Sequence, residues 1–94
     1  MRPSEVLELN RERVRKVIAR YPVRNPRIFG SAARGDDHED SDLDILVDRI
    51  GPMTYIDLFR LEDELSHILG CSVEVFTGLK PHAERTAASD LKII

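Results

Sequence analysis

Ile28-Phe-Gly-Ser-Ala-Ala-Arg-Gly-Asp-Asp-His-Glu-Asp-Ser-Asp-Leu-Asp-Ile-Leu-Val47 decides the fold, because it joins a tight glycine turn to a strand that alternates acid with aliphatic residues. From Asp42 to Asp48 the alternation has the period of two that a strand with one polar face requires. Asp42 and Asp44 therefore project from one face, and Leu43, Ile45 and Val47 from the other into a core. Two carboxylates on one strand face suit divalent cations. At the other end of the stretch a short strand, Arg27 to Phe29, is expected to end at Gly30. There the missing side chain permits a sharp turn and a close approach of a ligand to the backbone. Ser31 adds a hydroxyl to the exposed amides of that turn, and Ala32-Ala33-Arg34 suits a helical turn whose amides point at an anion such as phosphate.

Working outward, Ser4 to Tyr21 is expected to form the first helix. Pro3 and Ser4 start it, Glu5 and Glu8 lie near its N-terminus, and Arg13, Arg15, Lys16 and Arg20 crowd its C-terminal half. Leu7, Val14, Val17, Ile18 and Tyr21 give it an apolar stripe, and the basic residues a solvated face. Pro22 to Pro26 breaks the helix. The acidic run Asp36, Asp37, His38, Glu39 and Asp40 reads as a solvated loop, and Ser41 as a local hydrogen-bonding residue at the entry to the second strand.

Beyond the second strand, Gly51-Pro52 marks a turn. Thr54 caps a helix running to Leu69, with Gly70 as its stop and Tyr55, Leu58, Phe59, Leu61, Leu65, Ile68 and Leu69 as its apolar face. Cys71 to Phe76 alternates as a third strand, with Val73 and Val75 toward the core and Glu74 on the opposite face. Strand, helix and strand make a βαβ unit, which sets strands two and three parallel. If those strands are neighbours in register, Glu74 joins Asp42 and Asp44 in a three-carboxylate cluster. A further helix is expected after Pro81, with Ala83, Ala87, Ala88 and Leu91 as weak periodicity. Ile93 and Ile94 are aliphatic residues that dock on the core or on a partner.

The chain of 94 residues reads as one domain, residues 1–94, with one modest core. Hydrophobic residues make up 41% and charged residues 33%, an ordinary mix for a soluble protein. No apolar run reaches the roughly 20 residues that span a bilayer, and the N-terminus lacks a signal-peptide core, so a cytoplasmic protein is expected. Cys71, the one cysteine, excludes an internal disulfide and reads as core filler. The net charge of −3 argues against nucleic acid as the main partner.

Gly30-Ser31, ten intervening residues, and Asp42-x-Asp44, within the fuller Gly-Ser-Ala-Ala-Arg-Gly and Ser-Asp-Leu-Asp-Ile-Leu-Val, closely resemble the signature of the nucleotidyltransferase superfamily with the DNA polymerase beta fold. More narrowly, they resemble the minimal nucleotidyltransferases that serve as antitoxins to HEPN-domain ribonuclease toxins. The resemblance implies an α/β (α+β) fold, a small mixed sheet with helices packed on one face. It implies that Asp42 and Asp44 hold a pair of Mg²⁺ ions about 3.5–4 Å apart. Glu74 matches by place the third carboxylate, more often Asp in the family, which ligates the catalytic metal and helps deprotonate the acceptor. Gly30 and Ser31 would hold the β- and γ-phosphates of ATP. Arg34 would either touch a phosphate or brace the acidic loop. Relatives acting on aminoglycosides or RNA append a helical domain that binds the acceptor. Here the acceptor is expected to arrive with another protein: a HEPN toxin, modified on a tyrosine hydroxyl by AMP within a hetero-oligomer. Two other readings stand beside it, neutralisation of a toxin by binding alone and modification of a small molecule such as an aminoglycoside.

Overall fold

The computed structural model describes residues 1–78 and 92–94. Its elements are helices α1 (Pro3–Leu9) and α2 (Arg11–Ile18), strand β1 (Val23–Phe29), helix α3 (Ser31–Arg34), strand β2 (Leu43–Arg49), helix α4 (Tyr55–Leu69), and strands β3 (Val73–Phe76) and β4 (Lys92–Ile93). The strands form one sheet in the order β3-β2-β1-β4. β2 and β3 run parallel, with α4 between them in sequence, while β1 is antiparallel to both β2 and β4. This is the βαβ unit expected from the alternating runs, within the mixed sheet that the resemblance implies. The helix expected after Pro81 lies outside the described residues.

Strand alternation divides the sheet into two faces. Leu43, Ile45 and Val47 of β2 with Val73 and Val75 of β3 pack on Leu7, Val14, Val17 and Ile18 of α1 and α2 and on Leu61, Leu65 and Leu69 of α4, all buried. The opposite face carries Asp44, Leu46 and Asp48 of β2 beside Glu74 and Phe76 of β3. Phe76 meets Phe29 of β1 edge to face, with ring centroids 5.2 Å apart. Helices therefore supply the core on one face, and the carboxylates stand on the other. No helix among the described residues is long and apolar enough to cross a membrane.

The first helix, β1 and α4 each differ from the sequence reading for a local reason. The first helix is two helices, because Asn10 leaves helical geometry (φ −120°, ψ 18°) while its side-chain amide donates to the Val6 carbonyl at 2.9 Å. A side chain that bonds back in this way competes with the backbone ladder. β1 begins at Val23, four residues before the expected start, because a bulge between Arg24 and Arg27 accommodates Pro26. Asn25 supplies the left-handed residue of the bulge (φ 55°), and its side chain donates to Asp48 at 3.3 Å.

α4 has the expected Thr54 cap, which Asp57 completes as a capping box, Asp57 N donating to Thr54 Oγ1 at 3.2 Å and Thr54 N to Asp57 Oδ2 at 3.0 Å, but its apolar face is narrower than expected. Tyr55 and Phe59 are 80% and 62% exposed. At 3.6 residues per turn, Phe59 falls about 120° away from Leu65 and cannot share its face. At the far end, the two aliphatic residues part. Ile94 is 3% exposed and joins the core, whereas Ile93 is 74% exposed on the sheet edge. Arg15 holds this segment by donating to the Ile94 carbonyl oxygen at 2.9 and 3.1 Å.

Candidate active site

The site is built where β1 hands over to α3 beside the start of β2. Phe29, the last residue of β1, pairs with Asp44, so Gly30 turns away directly over that carboxylate. Gly30 has φ 76° and ψ −152°, a region essentially closed to residues with a side chain. A Cβ added to it would lie 2.9 Å from Asp44 Oδ2. Only glycine can therefore make this turn and leave the carboxylate in place. The four residues of α3 follow at once, and Arg34, the last of them, supplies the first amide bonded within the turn, donating to the Gly30 carbonyl at 3.2 Å.

Across the parallel pair, Asp44 is in register with Glu74. Asp42 stands exposed just ahead of β2, where the amide of Leu43 donates to the Ser72 carbonyl at 2.9 Å. Ser41 acts locally as expected: its hydroxyl accepts from the His38 amide at 2.9 Å, closing the turn that delivers Asp42 to the strand. Asp42, Glu62, Ser72, Val73 and Glu74 line an open cleft of about 240 Å³. The sequence pattern of α4 turns Glu62 toward water, but the structure half-buries it. It reaches from α4 to accept the Val75 amide at 2.8 Å on the edge of β3, and its position inside the apolar helical pattern of α4 gave no sign of that contact.

The electrostatics of the cluster centre on Asp44. Burial is the largest influence and raises its pKa; the negative charges of Glu74 and then Asp42 raise it further. The three carboxylates are thus close enough to repel one another, and a cation would offset that repulsion. Their hard oxygens are the donors that Mg²⁺ prefers. Among the described residues no group of three or more His, Cys, Asp or Glu side chains is arranged to hold a metal ion as it stands. Mg²⁺ commonly takes one or two carboxylates and completes its shell with substrate phosphates and water. Asp42 and Asp44, with Glu74 in register, are the residues that would hold it.

Arg34 makes the bracing contact, its Nε meeting Asp36 Oδ2 at 3.3 Å. Cys71 is packed against the core, and burial first, then the charge of Asp42, raises its thiol pKa, in keeping with a structural role. The acidic loop corrects the sequence reading at one residue. Asp37 is 4% exposed, not solvated. Its carboxylate accepts from the Ser4 amide and the Ser4 hydroxyl, both at 2.9 Å, and lies 3.8 Å from Arg2. Burial alone would raise its pKa, but the two Ser4 hydrogen bonds and the Arg2 charge together hold it below the usual carboxylate value. Nothing in the run Asp36 to Asp40 distinguishes Asp37 from its neighbours. Its partner Ser4 lies 33 residues away in the chain, beyond the reach of any local pattern.

Comparison with known proteins agrees with this geometry. Residues 12–92 match the family model described as polymerase beta, nucleotidyltransferase. This chain belongs to that family. The nucleotidyltransferase is 35% identical over 91 residues to "Putative protein adenylyltransferase MJ1217" of Methanocaldococcus jannaschii, covering 94% of this chain and 93% of that protein. It superposes with a TM-score of 0.84 and 35% identity on a solved structure described as a putative minimal nucleotidyltransferase, covering 97% of this chain and 95% of the other. A toxin-antitoxin crystallised with AMP-PNP gives a TM-score of 0.77 at 20% identity, over 89% of this chain and 71% of that one, which is a likeness of fold.

Proposed function

We propose that this nucleotidyltransferase transfers AMP from ATP, with Mg²⁺, to a tyrosine hydroxyl of a partner HEPN ribonuclease toxin, met in the cytoplasm in a hetero-oligomer. The observation that carries the reading is the close packing of the Gly30 turn, where an added Cβ would stand 2.9 Å from Asp44 Oδ2, against a carboxylate in register with Glu74. A relative named as a protein adenylyltransferase and a shared fold with a toxin-antitoxin that binds a nucleotide analogue support the choice of acceptor class.

In this reading the amides of the Gly30–Ser31 turn and the Ser31 hydroxyl hold the β- and γ-phosphates, and Arg34 adds positive charge at the edge of the same turn. Asp42 and Asp44 hold the divalent cations, which when bound neutralise charge on the reacting phosphates. Glu74 accepts the acceptor's proton. A tyrosine hydroxyl with a pKa near 10 is a poor nucleophile until a base assists it. Its oxygen then forms a bond to the α-phosphorus as the bond from that phosphorus to the bridging oxygen breaks. Pyrophosphate leaves, and the proton passes from Glu74 to solvent. The added AMP would block the toxin's ribonuclease site with bulk and negative charge.

Incubation of the purified pair with ATP labelled at the α-phosphate and Mg²⁺ is expected to label the partner, and replacement of the acceptor tyrosine by Phe to abolish the label. An unlabelled partner in the presence of folded enzyme would overturn the proposal.

A further inference from the structure

We infer that Asp37 is a positioning residue for the phosphate-binding turn, clamping it to the first turn of α1 through Ser4 and Arg2. The inference rests on the reading of Gly30–Arg34 as that turn. α3 has only four residues, with a positive-φ glycine on each side, Gly30 at 76° and Gly35 at 79°. Its own backbone bonds include Arg34 N to Gly30 O at 3.2 Å and Asp36 N to Ser31 O at 3.1 Å. So short a helix between two conformationally free residues cannot fix its own direction.

The clamp supplies what the turn lacks. Among the described residues Asp37 is the only buried charged residue. Its carboxylate takes both polar hydrogens that Ser4 offers, at 2.9 Å each. The guanidinium of Arg2 approaches the same carboxylate at 3.8 Å and donates to the Gly35 carbonyl, which ends α3, at 3.1 Å. One guanidinium thus touches both the clamp and the turn. The other end of the turn is fixed by the fit of Gly30 against Asp44. Held at both ends, the amides that would meet the β- and γ-phosphates keep their place relative to the carboxylates. Asp37 touches neither substrate nor metal in this account; it acts through the turn.

The test compares binding of ATP and of AMP, each with Mg²⁺, to wild type, Asp37→Asn and Ser4→Ala. Only ATP carries the phosphates that reach the turn. Asp37→Asn is expected to weaken ATP about tenfold or more, as displacement of a positioned group by a fraction of an ångström does, and to leave AMP unchanged. Ser4→Ala, which keeps the carboxylate and one of its hydrogen bonds, shifts ATP in the same direction by less, and remains informative if Asp37→Asn does not fold. A lowered melting temperature with unchanged ATP affinity would make Asp37 a staple only, and overturn the inference. Equal weakening of ATP and AMP would overturn it too. Failure of the wild type to bind ATP would instead remove the phosphate-turn reading on which the inference stands.

Discussion

Replacing Asp42 and Asp44 together by Asn is expected to reduce AMP transfer by roughly a thousandfold or more, because the charge stabilisation that a bound metal supplies is worth several kcal/mol and these carboxylates would hold it. The fold should survive. Asp44 is pushed up by burial, by Glu74 and by Asp42, so its ionised form is disfavoured in the folded protein. A carboxyl whose folded pKa is raised contributes stability that is fully present below its unfolded value, about 3.9, and lost as pH rises through the folded value. At neutral pH and without metal, wild type has lost that contribution, and a neutral Asn at position 44 never depended on it. The double variant should therefore melt at or above the wild-type temperature near pH 7, and its advantage should shrink as pH falls toward 4. Mg²⁺ should raise the melting temperature of wild type and not of the variant. Thermal melts at several pH values, with Mg²⁺ and with chelator, check each part. A variant that unfolds would make the carboxylates structural, and one that neutralises a toxin undiminished would favour binding without catalysis.

Gly30→Ala is the second change expected to have a large effect, through geometry rather than charge. The backbone at φ 76°, ψ −152° strains any residue with a side chain, and the new methyl would stand 2.9 Å from Asp44 Oδ2. The strain costs about 1–3 kcal/mol, and the clash displaces the carboxylate or opens the turn. Both stability and ATP binding should fall, with AMP transfer reduced by roughly a hundredfold or more, since misplacement of a reacting group by about an ångström has that effect. Gly70→Ala separates the two causes. Gly70 also has positive φ, 68°, but a Cβ there meets nothing within 4 Å and it caps α4 away from the turn. It should lose about 1–2 kcal/mol of stability and keep its activity. Chemical denaturation and a transfer assay on the two variants make the comparison; equal losses of activity would refute the role given to Gly30.

The parts of the site legible in the sequence are those governed by local rules. Period-two alternation placed Leu43, Ile45 and Val47 opposite Asp44, and a crossover helix of the length of α4 set β2 and β3 parallel, while the register that pairs Glu74 with Asp44 is fixed only by the folded sheet. Thr54 and Gly70 bounded α4 because caps are local chemistry. What sequence reasoning missed depends on partners distant in the chain or on competition between local and tertiary terms. Asp37 is indistinguishable from Asp36 until Ser4 and Arg2 are brought to it. Pro22 to Pro26 reads as a helix break ahead of a strand from Arg27 until a bulge against β2 makes room for Pro26, and Phe59 reads as core until the phase of α4 is fixed by Leu61 and Leu65. Asn10 interrupts a helix that its neighbours' spacing would have continued.

The central claim is that Asp42 and Asp44 form a metal-dependent nucleotide site with the Gly30–Ser31 turn, and calorimetric titration of ATP tests it without a partner. The titrations are made with Mg²⁺ and with the metal chelated, into wild type and into the Asp42→Asn/Asp44→Asn variant. Binding to wild type is expected to require Mg²⁺ and to disappear in the variant. Binding that persists without metal or in the variant, or no binding to folded wild type under any condition, would contradict it.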